Sequence, residues 1–262
     1  MSPARTPHWT DAYYGELYLD SVADLLGPRL SEAEAAILAA LLALRPGARV
    51  LDVGCGHGRH ALPLADKGCA VVGLDRSRAY LARAAAEARA RPPAGPLPGW
   101  VRGDLRELPF RDGAFDAAFS WYASLFPFDD ATNARSLAEI ARVVRRGGRV
   151  VVQHGNPDRL AAEPEATAAR TLPDGSRVEE RSSWDAVRGV DRCHRRLVRP
   201  DGAVLAATAE LRYYSRSEWE ELAERCGLRL AALTSSPGAV GGSLPGPGPE
   251  APDVVVLLEK ST

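Results

Sequence analysis

A short apolar strand that runs straight into a glycine-dense turn constrains this chain more than any other stretch of it. Residues 49–60 read Arg-Val-Leu-Asp-Val-Gly-Cys-Gly-His-Gly-Arg-His. The run Val50, Leu51 and Val53 suits a strand covered on both faces, as in a parallel sheet. Gly54, Gly56 and Gly58 then remove three Cβ atoms, so that a ligand can lie against bare main chain. The helix that begins next points unpaired N–H groups into the same gap.

A second strand, Ala-Val-Val-Gly-Leu-Asp at residues 70–75, ends on a carboxylate. At the tip of the second strand of an open α/β sheet, an acid such as Asp75 is placed to accept hydrogen bonds from the two hydroxyls of a ribose. Two spacings favour S-adenosylmethionine over a dinucleotide. The fingerprint G-x-G-x-x-G is not met, because Arg59 stands where the third glycine belongs and Gly58 comes one residue early. Just past a third strand at Gly99–Arg102, Gly103-Asp104-Leu105 offers an acceptor for an adenine amino group and an apolar wall for its face. An NAD-dependent dehydrogenase remains the weaker alternative.

The chain resembles the class I S-adenosylmethionine-dependent methyltransferases. The resemblance is carried in order by Leu51-Asp-Val-Gly-Cys-Gly-His-Gly-Arg59, Val72-Gly-Leu-Asp-Arg-Ser77, Gly103-Asp104-Leu105, Phe115-Asp-Ala-Ala-Phe-Ser120 and Arg142-Val-Val-Arg-Arg-Gly-Gly-Arg-Val-Val-Val152, over roughly residues 49–152. It is similar, more narrowly, to a bacterial subgroup acting on small molecules. That subgroup usually reads Thr-Ser-Phe-Gly-Tyr-Phe where this chain has Leu125-Phe-Pro-Phe128. The resemblance implies that Gly54, Cys55, Gly56 and Gly58 lie along the methionine part of the cofactor, with Asp52 and the main chain near Ser120 close to its ammonium. It further implies that Asp75 holds the ribose and that Arg76, Asp104 and Leu105 border the adenine, while Arg59 either meets the carboxylate or faces solvent at the helix start. A tyrosine ahead of the core, from Tyr13, Tyr14 and Tyr18, is expected near the methionine moiety, and Trp121, in the loop after the fourth strand, is a further cofactor-binding candidate.

The expected fold is a Rossmann-like seven-stranded, mostly parallel sheet flanked by helices, with an inserted antiparallel β flap. Residues 1–48 read as a helical cap, with a helix at Glu32–Leu44, and 49–154 as the cofactor-binding core. The core includes helices at Ala61–Lys67, Ser77–Arg91 and Ala131–Val144, and strands at Phe115–Ser120 and Arg149–Gln153. Residues 155–214 read as the flap, built from three extended segments, Arg177–Val187, Gly189–Arg199 and Val204–Tyr214. Residues 215–262 complete the sheet through a helix at Ser215–Cys226 and strands at Leu228–Thr234 and Asp253–Glu259, separated by a Pro/Gly/Ser-rich loop, Ser235–Pro252.

At 262 residues and 45% hydrophobic content the chain can bury a full α/β core. A formal charge of −1 lacks the basic excess of a nucleic-acid binder. The local cluster Arg192, Arg195 and Arg196 reads as a solvated face. No run approaches the ~20 apolar residues of a membrane span, and the start lacks a secretion signal, so a cytoplasmic monomer or homodimer is expected. Cys55, Cys69, Cys193 and Cys226 are scattered without zinc spacing, and no metal is expected.

The expected reaction is methyl transfer to an oxygen, nitrogen or carbon of a small-molecule acceptor, with S-adenosylhomocysteine as product. Such an in-line displacement needs alignment and exclusion of water more than acid–base help. Tyr122, Phe126 and Phe128 form a candidate acceptor pocket. His154, at the end of the fifth strand, is the candidate base, although a histidine there also suits a hydrogen-bonded edge position. Asp129 and Asp130 precede a helix and read as caps. Alternatives that keep the cofactor are cyclisation, cofactor cleavage, or a sensor without turnover.

Overall fold

The computed structural model describes residues 9–22, 24–92, 94–236 and 250–261. In chain order its elements begin with helices α1 (Trp9–Tyr13), α2 (Glu16–Val22) and α3 (Pro28–Leu41). Strand β1 (Arg49–Val53), α4 (Ala61–Asp66), β2 (Ala70–Asp75), α5 (Arg78–Ala90), β3 (Gly99–Arg102), β4 (Phe115–Ser120), α6 (Asp130–Val143) and β5 (Val144–Gly155) follow. After α7 (Pro157–Ala162) come four flap strands, β6 (Glu165–Thr171), β7 (Arg177–Asp185), β8 (Val190–Val198) and β9 (Val204–Arg212). Helix α8 (Arg216–Arg225) and strands β10 (Leu228–Thr234) and β11 (Asp253–Lys260) close the chain.

The main sheet has the order β10-β11-β5-β4-β1-β2-β3. Strands β1 to β5 pair in parallel, and β11 runs antiparallel to both β5 and β10. Alternation along each strand divides the core in two. Leu51, Val150, Val152 and Val256 pack with α6 and α8 through Leu137, Ile140 and Trp219 on one face. Val50, Phe119, Val151 and Val255 pack with α3 and α4 through Leu38 and Leu64 on the other. With both faces covered, the carboxyl ends of β1, β2, β4 and β5 are left as the place where side chains and main chain meet open space.

Capping fixes where the helices begin. Ser77 Oγ accepts the Tyr80 N–H, and Asp129 accepts the Thr132 N–H at 2.8 Å. Ser215 and Glu218 form a reciprocal capping box at α8. Asp130 instead accepts the Tyr214 hydroxyl at 2.8 Å and pairs with Arg212, which ties α6 to the end of the flap.

The flap is a four-stranded antiparallel sheet, β6-β7-β8-β9, one strand more than the apolar pattern predicts. The extra strand β6 is Glu-Ala-Thr-Ala-Ala-Arg-Thr, almost wholly exposed, and exists because its main chain pairs with β7 from Glu165↔Ser183 to Thr171↔Arg177. The flap docks through Leu172, Val178 and Leu197 on Leu17 of α2, and through Leu211 and Tyr213 on Trp9 and Ala123. Strand β5 also starts earlier than expected, at Val144, with a register shift opposite Phe115–Ala117 where Gly147-Gly148 turn. Most of the expected loop Ser235–Pro252 lies outside the described residues. Among the described residues no helix is long and apolar enough to cross a membrane.

Candidate active site

Two cavities adjoin at the carboxyl edge of the sheet. The first, about 230 Å³, lies between the glycine turn, the ends of β2 and β3, and helices α1 and α2. The second, about 380 Å³, lies between β5, α1, α2 and the inner face of the flap. Tyr14, Tyr18 and Tyr122 line both and form the wall they share.

The first cavity gathers most of the residues expected to hold a cofactor: Asp52, Gly54, Cys55, Gly56, Arg59, Asp75, Arg76, Asp104, Leu105, Tyr18 and Trp121. The three glycines of the turn, all left-handed, do different work. A Cβ on Gly56 (φ +54°) would meet nothing nearer than 3.9 Å, so this glycine opens towards the cavity. A Cβ on Gly54 would lie 2.5 Å from that of Ser124, and one on Gly58 would lie 2.4 Å from the Trp100 ring. Gly58 is therefore required by protein packing, and it does not line the cavity, contrary to expectation. Ser120 likewise stays buried behind the surface, and Tyr13 turns to the second cavity.

Asp75 accepts the Gly56 N–H through Oδ2 at 2.9 Å and the Ser77 N–H through Oδ1 at 2.8 Å. Burial pushes its carboxyl above the usual range despite these bonds. Each oxygen keeps a second acceptor site for a ligand hydroxyl. Asp104 holds Arg106 at 2.6 Å, and the Arg106 guanidinium stacks 4.8 Å from the Phe128 ring at the cavity's edge.

Glu34 of α3, which no sequence signal marks, organises the far end. Its buried carboxylate accepts the Trp121 indole N–H and the Tyr122 hydroxyl, each at 3.1 Å, the His60 Nε2–H at 3.0 Å, and Arg59 Nη1–H. Burial alone would raise its pKa, but the His60 hydrogen bond and the Arg59 charge prevail and hold it near 2. Burial takes His60 down to about 4, so it stands neutral beside a charged pair. The Arg59 guanidinium lies 4.6 Å over the Tyr122 ring.

Two polar atoms facing this end have no hydrogen-bond partner among the described residues: Asp52 Oδ2 and Arg59 Nη2. Burial pushes the Asp52 carboxyl up to about 8, with Arg59 opposing and Asp75 adding to the shift. An unpartnered carboxyl oxygen and an unpartnered guanidinium N–H in one buried cleft offer an acceptor and a donor to the ammonium and carboxylate of an amino-acid group. The cavity thus brings the unsatisfied polar groups of Asp52 and Arg59, the Asp75 carboxyl, and the side chains of Asp104 and Leu105 round one space, a set whose chemistry suits S-adenosylmethionine.

The loop after β4 is bent by two successive left-handed non-glycine residues, Tyr122 (φ 57°) and Ala123 (φ 55°). Gln153 holds them, accepting the Tyr122 N–H at 2.7 Å through its side chain and the Ala123 N–H at 3.0 Å through its carbonyl. The bend aims Tyr122 at the shared wall and sends the other expected pocket residues elsewhere. Phe126 is fully buried in the core against Tyr214 and Trp219, so it lines neither cavity. Phe128 lies on the first cavity rather than the second.

His154 borders the second cavity, yet both its nitrogens are engaged. Nδ1–H donates to the Gly155 carbonyl at 2.7 Å, and Nε2 accepts the Trp219 indole N–H at 2.8 Å. Burial lowers its pKa to about 4. It is a neutral imidazole with its lone pair committed, the edge residue rather than the base.

A sequence profile described as a methyltransferase domain matches residues 50–148. An uncharacterized protein of Mycobacterium tuberculosis is 35% identical over 162 residues, covering 60% of this chain and 57% of its own length. A demethylmenaquinone methyltransferase of Beutenbergia cavernae is 40% identical over 112 residues, 42% of each chain. The chain therefore spans about half the length of these relatives. The solved structure of the CcbJ methyltransferase from Streptomyces caelestis superposes with a TM-score of 0.80 at 24% identity, covering 96% of this chain and 99% of that one, which establishes a common fold. Residues 50–148 thus match a methyltransferase domain, and the fold built around them is shared with a solved methyltransferase.

Proposed function

We propose that this protein transfers a methyl group from S-adenosylmethionine to an oxygen, nitrogen or carbon atom of a small-molecule acceptor in the cytoplasm, leaving S-adenosylhomocysteine. The observation that carries this reading is the pair of adjoining cavities. One has the unsatisfied groups that suit the cofactor, the other has room beneath the flap for an acceptor, and three tyrosines separate them. The bound cofactor supplies an activated methyl on sulfonium.

The chain's residues bind and align. Asp52 and Arg59 grip the amino-acid end and Asp75 fixes the ribose. Glu34 holds Arg59, Trp121 and Tyr122 in one arrangement. Tyr14, Tyr18 and Tyr122 narrow the passage and keep water from it. Burial raises the pKa of all three phenols, so they stay protonated. With His154 committed to Trp219, the reading assigns no side chain the role of general base. An acceptor nitrogen presented uncharged, or an oxygen already ionised, would need no protein base to take the activated methyl, and any surplus proton would leave to solvent.

Isothermal titration with S-adenosylhomocysteine tests the reading. The full chain should bind it, and Asp75→Ala should weaken binding by about a hundredfold, the loss of a buried charged acceptor for two hydroxyls. Unchanged affinity in that variant would sink the ribose assignment. Mass analysis of products with labelled cofactor should show an acceptor heavier by one methyl group, which cyclisation or cofactor cleavage would not give.

A further inference from the structure

The second cavity has a charge pattern of its own. Of its lining residues three are charged: Arg195 and Glu180 on the inner face of the flap, and Arg170 on β6. Strand periodicity puts them there, since Glu180 and Arg195 are register partners, with Ala168 opposite Glu180 on β6. Arg195 is 8% exposed and lies against both Tyr13 and Tyr18, its guanidinium 5.1 and 5.3 Å from their ring centres. It forms an ion pair with Glu180 at 2.8 Å, but its Nη1 has no hydrogen-bond partner among the described residues. Arg170 spends Nη2 on the Ser21 carbonyl and lies 3.6 Å from Asp24, and its Nη1 is also buried without a partner.

Each guanidinium has one carboxylate beside it, Glu180 for Arg195 and Asp24 for Arg170, yet each keeps a buried N–H donor unspent in the same cavity, an excess of donors over acceptors. A buried donor without an acceptor is costly, and a guanidinium is shaped to hold two oxygens at once. We infer that the acceptor carries an anionic group, a carboxylate or phosphate monoester, which Arg195 and Arg170 bind on the flap side while the methylated atom faces the tyrosine wall. The inference rests on the proposed methyl-transfer reading for its orientation, but not for its charge preference. Arg195 and Arg170 are specificity-determining residues in this assignment, and Glu180 tunes Arg195 by competing for it.

The test uses the full chain saturated with S-adenosylhomocysteine, titrated calorimetrically with matched small aromatics: 4-hydroxybenzoate, phenyl phosphate, 4-hydroxybenzamide and 4-hydroxybenzylamine. An anionic member should bind at least tenfold more tightly than the amide and the amine. Carboxylate against phosphate separates the two possible anions. Arg195→Met and Arg170→Met should each weaken the anion about tenfold while S-adenosylhomocysteine affinity stays the same. Glu180→Gln should tighten the anion several-fold, a gain that misfolding cannot imitate. Equal binding of amide and anion, preference for the amine, or no binding by any of the four overturns the inference. Should the chain not bind S-adenosylhomocysteine, the same titrations run without it still read the anion preference, and its persistence would remove the methyl-transfer reading alone.

Discussion

The cavity at the glycine turn is walled largely by main chain and by acids at the ends of neighbouring strands, whereas the cavity beneath the flap is assembled from side chains of α1, α2, the β4 loop, β5 and all four flap strands. Parallel strands feeding helices fix the first by local geometry: once β1 and β2 pair, Gly56 and Asp75 are within 2.9 Å. Nothing local fixes the second. Its shape depends on how the flap docks through small clusters, Leu17 with Leu172, Val178 and Leu197, and Leu211 with Tyr213. A scaffold built in this way can keep its cofactor site while the acceptor site changes with a handful of flap residues.

Glu34 is where the two regions are coupled, so its loss gives the largest effect. Glu34→Gln leaves Arg59 buried without a countercharge and should cost about 3–5 kcal/mol in chemical denaturation. Cofactor affinity should fall as well, because Arg59 loses its anchor. Acid should act in the same direction. The pKa of Glu34 is depressed to about 2 from 4.5 and that of His60 to about 4 from 6.5. Both stabilise the fold fully above pH 6.5, and the contribution drains as the pH falls through about 4 and then about 2. A variant as stable as the parent across that range would show the two regions to be independent.

The glycine turn offers a sharper division within one motif. Gly58→Ala forces a Cβ into the Trp100 ring at φ +81° and should destabilise the protein by about 3 kcal/mol, while folded molecules bind S-adenosylhomocysteine normally. Gly56→Ala meets only an ordinary contact with Tyr80 at 3.9 Å, should cost about 1 kcal/mol of stability, and should weaken the ligand at least tenfold. Thermal melts paired with calorimetry separate the two. If both variants lost affinity equally, the turn would be acting as one ligand-binding unit.

The sequence makes the first region legible because its signals are local. The alternation of Val50 and Leu51, the glycines, the acid at the end of β2 and the Ser77 and Ser215 caps all act within a few residues of themselves. Glu34 escapes notice because a glutamate in a helix reads as solvent-facing, and it is buried by partners 25 to 88 residues away. Phe126 and Phe128 are two residues apart with the same chemistry, yet one enters the core and the other the cofactor cavity, a choice made by the strained bend at Tyr122 and Ala123. The cluster Arg192, Arg195 and Arg196 looks like one solvated patch. On a strand it splits by parity: Arg192 and Arg196 pair outward with Glu210 and Glu179, and Arg195 turns inward with Cys193 and Leu197. That period of two was present in the sequence and would have singled out Arg195.

The smallest expected effect concerns His154, which borders the acceptor cavity but is bonded into the core. His154→Gln keeps an acceptor near the Trp219 indole and a donor near the Gly155 carbonyl, so stability should fall by about 1 kcal/mol, the worth of imperfectly replaced hydrogen bonds. Turnover of an accepted substrate should change by less than about threefold, since general-base catalysis is worth 10²–10⁴-fold and none of it is assigned here. The pH–rate profile discriminates further. A base with a pKa near 4 would give a limb in the acid range that vanishes in the variant, whereas a hydrogen-bonded edge residue leaves the profile in place. A hundredfold loss together with a missing acid limb would mean that the Trp219 hydrogen bond opens during the reaction. The flap cavity would then supply chemistry as well as recognition, and the division between its two neighbours would have to be redrawn.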